Sequence, residues 1–219
     1  MSHSPNYIIA VSAVSGGGKT TLVKRTADLL EGTALFFDDY ASVSEYPPDI
    51  KKWVEDGADV NEWKTPQFAQ DLTALRRGDS IVSPIDGASI LPSEFIVIEE
   101  PMGRERAEMA TLIDFVAVID TPLEIALTRR LLRDLGPISV ENIEKATKKQ
   151  LAEGFVQIVT YLKDYLSGYL DAGRDLYIAV QEQAKENCDL VLDGCLSVDE
   201  LAQQLVTTVE DKPRTGDTK

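Results

Sequence analysis

The 219-residue chain has one histidine and two cysteines. His3 lies near the N-terminus, and Cys188 and Cys195 lie near the C-terminus with no metal-like partners around them. That excludes the usual zinc arrangements, and the cysteines read as free thiols, small buried hydrophobes in a reducing compartment. No apolar run approaches the roughly twenty residues that a membrane span needs. The opening MSHSPNYIIAVSAV lacks a basic leader, so no signal peptide is expected and the expected location is the cytoplasm. Cations are scarce, with 22 Lys and Arg against 37 Asp and Glu, a net charge of −15. Such a charge disfavours nucleic acid and anionic membranes as partners. If this chain handles phosphate, its few cations must be gathered at one place.

What is present is an alternation of apolar runs and helical periodicity. Residues 7–14 form a continuous apolar run, as a strand buried on both faces requires. Residues 19–31 repeat Leu22, Val23, Ala27 and Leu30 at helical spacing, and TALFF (33–37) is a second strand, expected to lie beside the loop at 13–21. Residues 41–64 read as irregular, and 65–77 as a helix with Thr65 as N-cap, Pro66 in the first turn and Gly78 as its stop. IVSPIDGASI (81–90) is a loop or short hairpin. Strands follow at 95–100, 115–119 and 190–192, with helices at 121–135, 139–186 (broken near Gly154, Gly168 and Gly173) and 197–209. Such alternation implies an α/β fold, a three-layer sandwich around a parallel five-stranded sheet, as one domain over 1–209 with a polar, disordered tail at 210–219. In these sheets ligands gather beyond the carboxyl ends of the strands. Here those ends carry a glycine loop, Asp38-Asp39 and Glu99-Glu100.

The glycine loop is AVSGGGKTT (13–21), between the first strand and the first helix. It meets the phosphate-loop spacing GxxxxGK[ST], with Ala13 in the first glycine position. A bare glycine turn would explain Gly16, Gly17 and Gly18 but not Lys19, Thr20 and Thr21 at this offset. Glycines let successive amides point at an anion, Lys19 reaches the terminal phosphates, and the Thr20 hydroxyl suits Mg²⁺. Ser15 and the N-terminus of the helix complete a seat for ATP.

Three classes of protein share this loop. The DxxG and NKxD elements of a GTP switch are absent. An ATPase that hydrolyses ATP without an acceptor would use FIVIEE (95–100), with Glu99 or Glu100 orienting water. A small-molecule kinase needs a carboxylate to take the proton of an acceptor hydroxyl, and FFDDY (36–40) offers one, unless the pair merely caps a turn. Arg129, Arg130 and Arg133 cluster in an acidic chain, with 130 and 133 on one helical face. They form either a solvated face answered by Glu124 and Asp134 or a lid whose guanidinium groups meet phosphate.

From about Tyr7 to Leu205 the chain resembles the uridine kinase family, a nucleoside-kinase branch that is also similar to nicotinamide riboside kinase and phosphoribulokinase. The resemblance rests on SGGGKTTL, FDDY, LTALRRGDSIVSPID, IVIEE, IDTPLEIALTRRLLRD and CDLVLDG, in that order and spacing. It implies a phosphate-loop NTPase fold with a helical lid around 122–140. It also implies Asp38 as catalytic base and magnesium neighbour, Thr20 and Glu99 around the same ion, and Arg130 and Arg133 closing over the phosphates. The implied reaction is transfer of the γ-phosphoryl group of ATP to a hydroxyl of a small acceptor, a nucleoside in the family, by a possible homo-oligomer.

Where the family has Asp-His-Pro, this chain reads NEWKTPQF (61–68), and the acceptor is left unnamed. Tyr40, Tyr46, Asp86, Trp53 and Trp63 are candidates for the acceptor side. Both tryptophans flank an acidic loop, where they either stack on a planar ring or pin the loop to the core. Tyr161, Tyr165 and Tyr169 lie at helical spacing and read as packing. Arg104 and Arg106 read as a solvated helix face, with phosphate as the alternative.

Overall fold

The computed structural model describes residues 6–137 and 140–212, without the side chains of 140–142. In chain order the elements are β1 (Tyr7–Ser12), α1 (Lys19–Leu29), β2 (Thr33–Leu35), α2 (Ile50–Glu55), α3 (Pro66–Arg77), β3 (Ile81–Val82) and β4 (Ser89–Ile90). There follow β5 (Phe95–Glu99), α4 (Ala107–Ala110), β6 (Phe115–Asp120), α5 (Leu123–Leu135), α6 (Val140–Lys145), α7 (Lys148–Gly168), α8 (Arg174–Glu186), β7 (Leu190–Asp193) and α9 (Val198–Asp211). His3 and residues 213–219 of the expected tail lie outside the described residues, and α9 carries the helix through Asp211. Among the described residues no helix is long and apolar enough to cross a membrane.

Five strands pair in parallel in the order β2-β5-β1-β6-β7, and β3-β4 is a separate antiparallel hairpin. The central strands separate two cores by simple alternation. Ile8 and Ala10 of β1, Ile96 and Ile98 of β5, and Val116 and Val118 of β6 face a core filled by Phe68, Leu72 and Leu75 of α3. Their neighbours Ile9, Val11, Phe95, Val97, Phe115 and Ala117 face α1 and α9, through Leu22, Val23, Leu201 and Leu205. Covering a parallel sheet on both faces is why these strands read as unbroken apolar runs. The protein is thus a three-layer α/β sandwich.

Several expectations are corrected in detail. β2 takes the edge of the sheet, with β5 between it and β1. It also stops at Leu35, and residues 37–43 wind into a 3-10 turn, so Asp38 sits on that turn rather than on the strand tip. The region 41–64 holds α2 and a 3-10 turn at 60–62, tied by a bridge between Glu45 and Lys64. Gly154 does not break its helix. The interruption comes before Thr147, which caps α7 through a reciprocal bond pair with Gln150, and at a π-turn over 169–173. Thr65 makes no capping bond to its helix because its hydroxyl is taken by Arg106 and Glu108. Cys195 is exposed and Cys188 half-buried, so neither is the core residue expected.

Candidate active site

β1 is the point where the sheet order turns, with β5 on one side and β6 on the other, and the loop 13–18 leaves its carboxyl end there. That is where open parallel sheets bind ligands. Ala13 is buried and lacks the left-handed backbone of Gly16 (φ 83°) and Gly18 (φ 100°), so its methyl group costs nothing in the first glycine position. The loop closes with the Gly17 amide donating to the Val14 carbonyl at 2.9 Å. Lys19 is buried, and its Nζ donates to the carbonyls of Ala13 at 2.9 Å and Val14 at 3.3 Å.

Parallel register places Glu99 of β5 opposite Val11, which brings its carboxylate to the loop. The Thr20 hydroxyl donates to Glu99 at 3.2 Å, and Lys19 Nζ stands 3.8 Å from it. Burial pushes the Lys19 ammonium below its ordinary value, opposed by the carboxylates of Glu99 and Asp38. Burial likewise raises the Glu99 carboxyl, opposed by Lys19. Glu100 points the other way. It is fully buried against the guanidinium of Arg106, which closes it off from the loop.

A cavity of about 650 Å³ opens over this loop. Asp38 and Glu99 are on its wall, as are Arg129, Arg130 and Arg133 of α5, so two carboxylates far apart in the sequence come to the arginine cluster. Arg130 Nη1 donates to Ser15 Oγ at 2.6 Å and to the Tyr177 hydroxyl at 3.0 Å. Arg129 is held at 3.2 Å by the Gly194 carbonyl, and Arg133 leans on Asp134 at 3.2 Å. Phe37, Trp63, Met102, Leu176 and Val180 give the cavity an apolar side.

Of the acceptor-side candidates, the structure brings only Trp63 and Asp38 to the cavity. Trp63 packs edge-on against Trp53 and Tyr46, and its buried indole N–H has no hydrogen-bond partner among the described residues. Trp53 is 3% exposed and pins its loop, donating from Nε1 to the Asp59 carbonyl at 2.9 Å. Tyr40 is 1% exposed, stacked near Phe68, with its hydroxyl on Asp71 at 2.9 Å. Burial raises its phenol well above the ordinary value. Asp86 is exposed in the β3-β4 turn, where it accepts from the Ala88 amide. These three do not line the cavity because core packing and turn closure already engage their polar atoms.

Sequence reasoning missed Tyr177 and Thr121. Thr121 precedes α5, yet its hydroxyl donates to the Gly17 carbonyl at 3.0 Å instead of capping the helix. Only a sheet that sets β6 beside β1 makes that contact. Arg104 and Arg106 lie neither on a solvated face nor near the loop. Arg104 donates to the Ile113 and Asp114 carbonyls and pairs with Asp189, and Arg106 is 0% exposed.

Loop and α5 touch so closely that Gly16 has no room for a side chain. A Cβ there would lie 2.1 Å from the Ala126 carbonyl oxygen, whereas at Gly18 it would meet nothing within 4 Å. Gly16→Ala is expected to displace α5, costing about 1–3 kcal/mol and weakening nucleotide binding, with Gly18→Ala the milder because only its backbone is strained. Denaturant titration and calorimetry with Mg·ATP on both variants check this order.

Thr20, Glu99 and Asp38 supply only oxygen donors, as a hard cation prefers. Among the described residues no group of three or more His, Cys, Asp or Glu forms a dedicated cage. That fits Mg²⁺, which keeps water and phosphate oxygens as most of its ligands.

No family model matches the chain. It is 27% identical over 172 residues to a uridine kinase of Borrelia duttonii, covering 72% of this chain and 82% of that protein. Identity to a uridine kinase of Borrelia garinii subsp. bavariensis is 25% over 205 residues, covering 84% and 98%. The structure of a possible uridine kinase from Bacillus stearothermophilus matches at 15% identity and a TM-score of 0.48, over 88% of this chain and 91% of that one. Over most of its length, then, the chain is similar to curated uridine kinases, at identities of 25% and 27%.

Proposed function

We propose that the protein is an ATP-dependent kinase that moves the γ-phosphoryl group to a hydroxyl of a small metabolite, with a nucleoside as the leading acceptor class. The observation that carries this reading is the composition of one cavity. Its wall joins Lys19, Thr20 and three arginines to Asp38, Phe37, Trp63 and Met102. A volume of about 650 Å³ is within the usual range for small-molecule sites.

In this reading the amides of 15–18, with Thr20 and Thr21, bind the phosphates of ATP. Lys19 turns from its loop carbonyls to the β- and γ-phosphates. Asp38 takes the proton of the acceptor hydroxyl, while Arg130 and Arg133, as lid residues, offset charge on the group in transfer. Thr20 would hold Mg²⁺, with Glu99 and Asp38 beside it, and the ion supplies charge neutralisation between the phosphates. The apolar side receives the body of the acceptor and excludes water.

The test is ADP release from Mg·ATP across nucleosides, nicotinamide riboside, pantothenate and sugar phosphates. A kinase releases ADP in proportion to phosphorylated acceptor and little without it. ADP formed at the same rate with no acceptor would replace this reading with an ATPase. That rival would rest on Glu99 alone, because Glu100 is already spent on Arg106.

A further inference from the structure

α7 is 21 residues long, yet none of its residues is buried and none contributes to the three apolar cores. Apolar packing therefore does not explain where it lies. Among the described residues, Tyr161 and Tyr165 carry its contacts with the charged side of α5. The Tyr161 hydroxyl donates to Asp134 at 2.7 Å, and Tyr161 stacks on Tyr165 with ring centres 5.9 Å apart. The Tyr165 ring lies under the Arg130 guanidinium, 5.0 Å from it. From α8, Tyr177 adds its hydroxyl to the same Nη1 that reaches Ser15.

We propose that the helix running from α7 through the π-turn into α8 serves to set Arg130 over the phosphate loop, with the Tyr165 ring and the Tyr177 hydroxyl as its positioning residues. A free arginine carries about 2 kcal/mol of rotamer entropy, and Arg129, Arg133 and Lys19 all repel it. Without a bracket it would swing towards solvent and the many carboxylates of this protein. An aromatic face attracts guanidinium without neutralising it. A neutral phenol oxygen accepts one N–H and leaves the others for phosphate. Burial raises the Tyr165 phenol above its ordinary value, so the bracket adds no competing negative charge there. A carboxylate in either place would hold the arginine but cancel the charge that phosphate needs. Asp134, 3.5 Å from Nε, is kept to the rear and shared with Arg133 and Tyr161.

The proposal rests on nucleotide binding at this loop, and its test uses Mg·ATP affinity by calorimetry, which needs no acceptor. Tyr177→Phe and Tyr165→Leu are each expected to weaken Mg·ATP about five- to tenfold. Tyr165→Phe, which keeps the ring, should retain the affinity that Tyr165→Leu loses. In an Arg130→Ala background the two tyrosine changes should have no further effect, because both act through that side chain. Equal losses with and without Arg130 would assign the tyrosines to general stability and overturn the proposal, as would affinities within twofold of wild type. Failure of the kinase reading looks different: Mg·ATP binds, the tyrosine variants bind it more weakly, and no acceptor yields ADP.

Discussion

Asp38→Asn is expected to bind Mg·ATP with near-normal affinity and to lose phosphoryl transfer by about a hundredfold or more. The substitution keeps size and hydrogen bonding and removes only the ability to take a proton. Asp38 is exposed to the cavity on a 3-10 turn whose neighbours, Phe37 and Tyr40, are locked in the core, so the backbone that carries it should not move. Asp39, one residue on, does not line the cavity, and Asp39→Asn should leave turnover within a few-fold. Burial and the charge of Asp38 raise the Asp39 carboxyl, so removing that second negative charge costs the fold little. Single-turnover rates and calorimetry on the two variants separate the roles. Near-normal turnover in Asp38→Asn would remove that residue from the mechanism.

Arg106→Met is expected to produce the largest loss of stability, about 3–5 kcal/mol, because it strands the fully buried carboxylate of Glu100. Arg106 also donates to the Trp63 carbonyl at 3.0 Å and to Thr65 Oγ1 at 2.7 Å, pairs with Glu108 at 2.7 Å, and lies 5.5 Å from the Phe37 ring centre. Its removal therefore loosens Phe37 and Trp63, two of the apolar residues on the acceptor side. Replacing both charges, as in Arg106→Met with Glu100→Leu, should recover much of the stability, since an apolar pair of similar volume needs no compensation. Denaturant midpoints of the single and double variants decide. A double variant no more stable than the single one would show that the bonds to Trp63 and Thr65, not the stranded carboxylate, carry the cost.

The layers of this protein were readable because burial on both faces leaves a plain mark: FIVI (95–98) and FVAVI (115–119) have no polar residue to place towards water. The phosphate loop was equally plain, since glycine and lysine at fixed offsets answer a local backbone demand. Glu99 and Glu100 were not distinguishable in the same way. Adjacent positions on a strand point to opposite faces, and which face carries the loop depends on register with β1. Trp53 and Trp63 posed the same problem, being alike in composition and flanks, with one in a small core and the other on the cavity wall. Tyr177 had no motif at all; it matters because α8 passes α5 at that height.

By itself the sequence determined the α/β alternation, the seat for triphosphate and the cluster of arginines, since each follows from residues within one or two turns of one another. Tertiary structure alone decided that β2 lies at the edge, that Glu99 rather than Glu100 faces the loop, and that two tyrosines bracket Arg130. Those outcomes depend on contacts between residues 35 to 115 positions apart in the chain, where no local propensity reaches and only packing chooses.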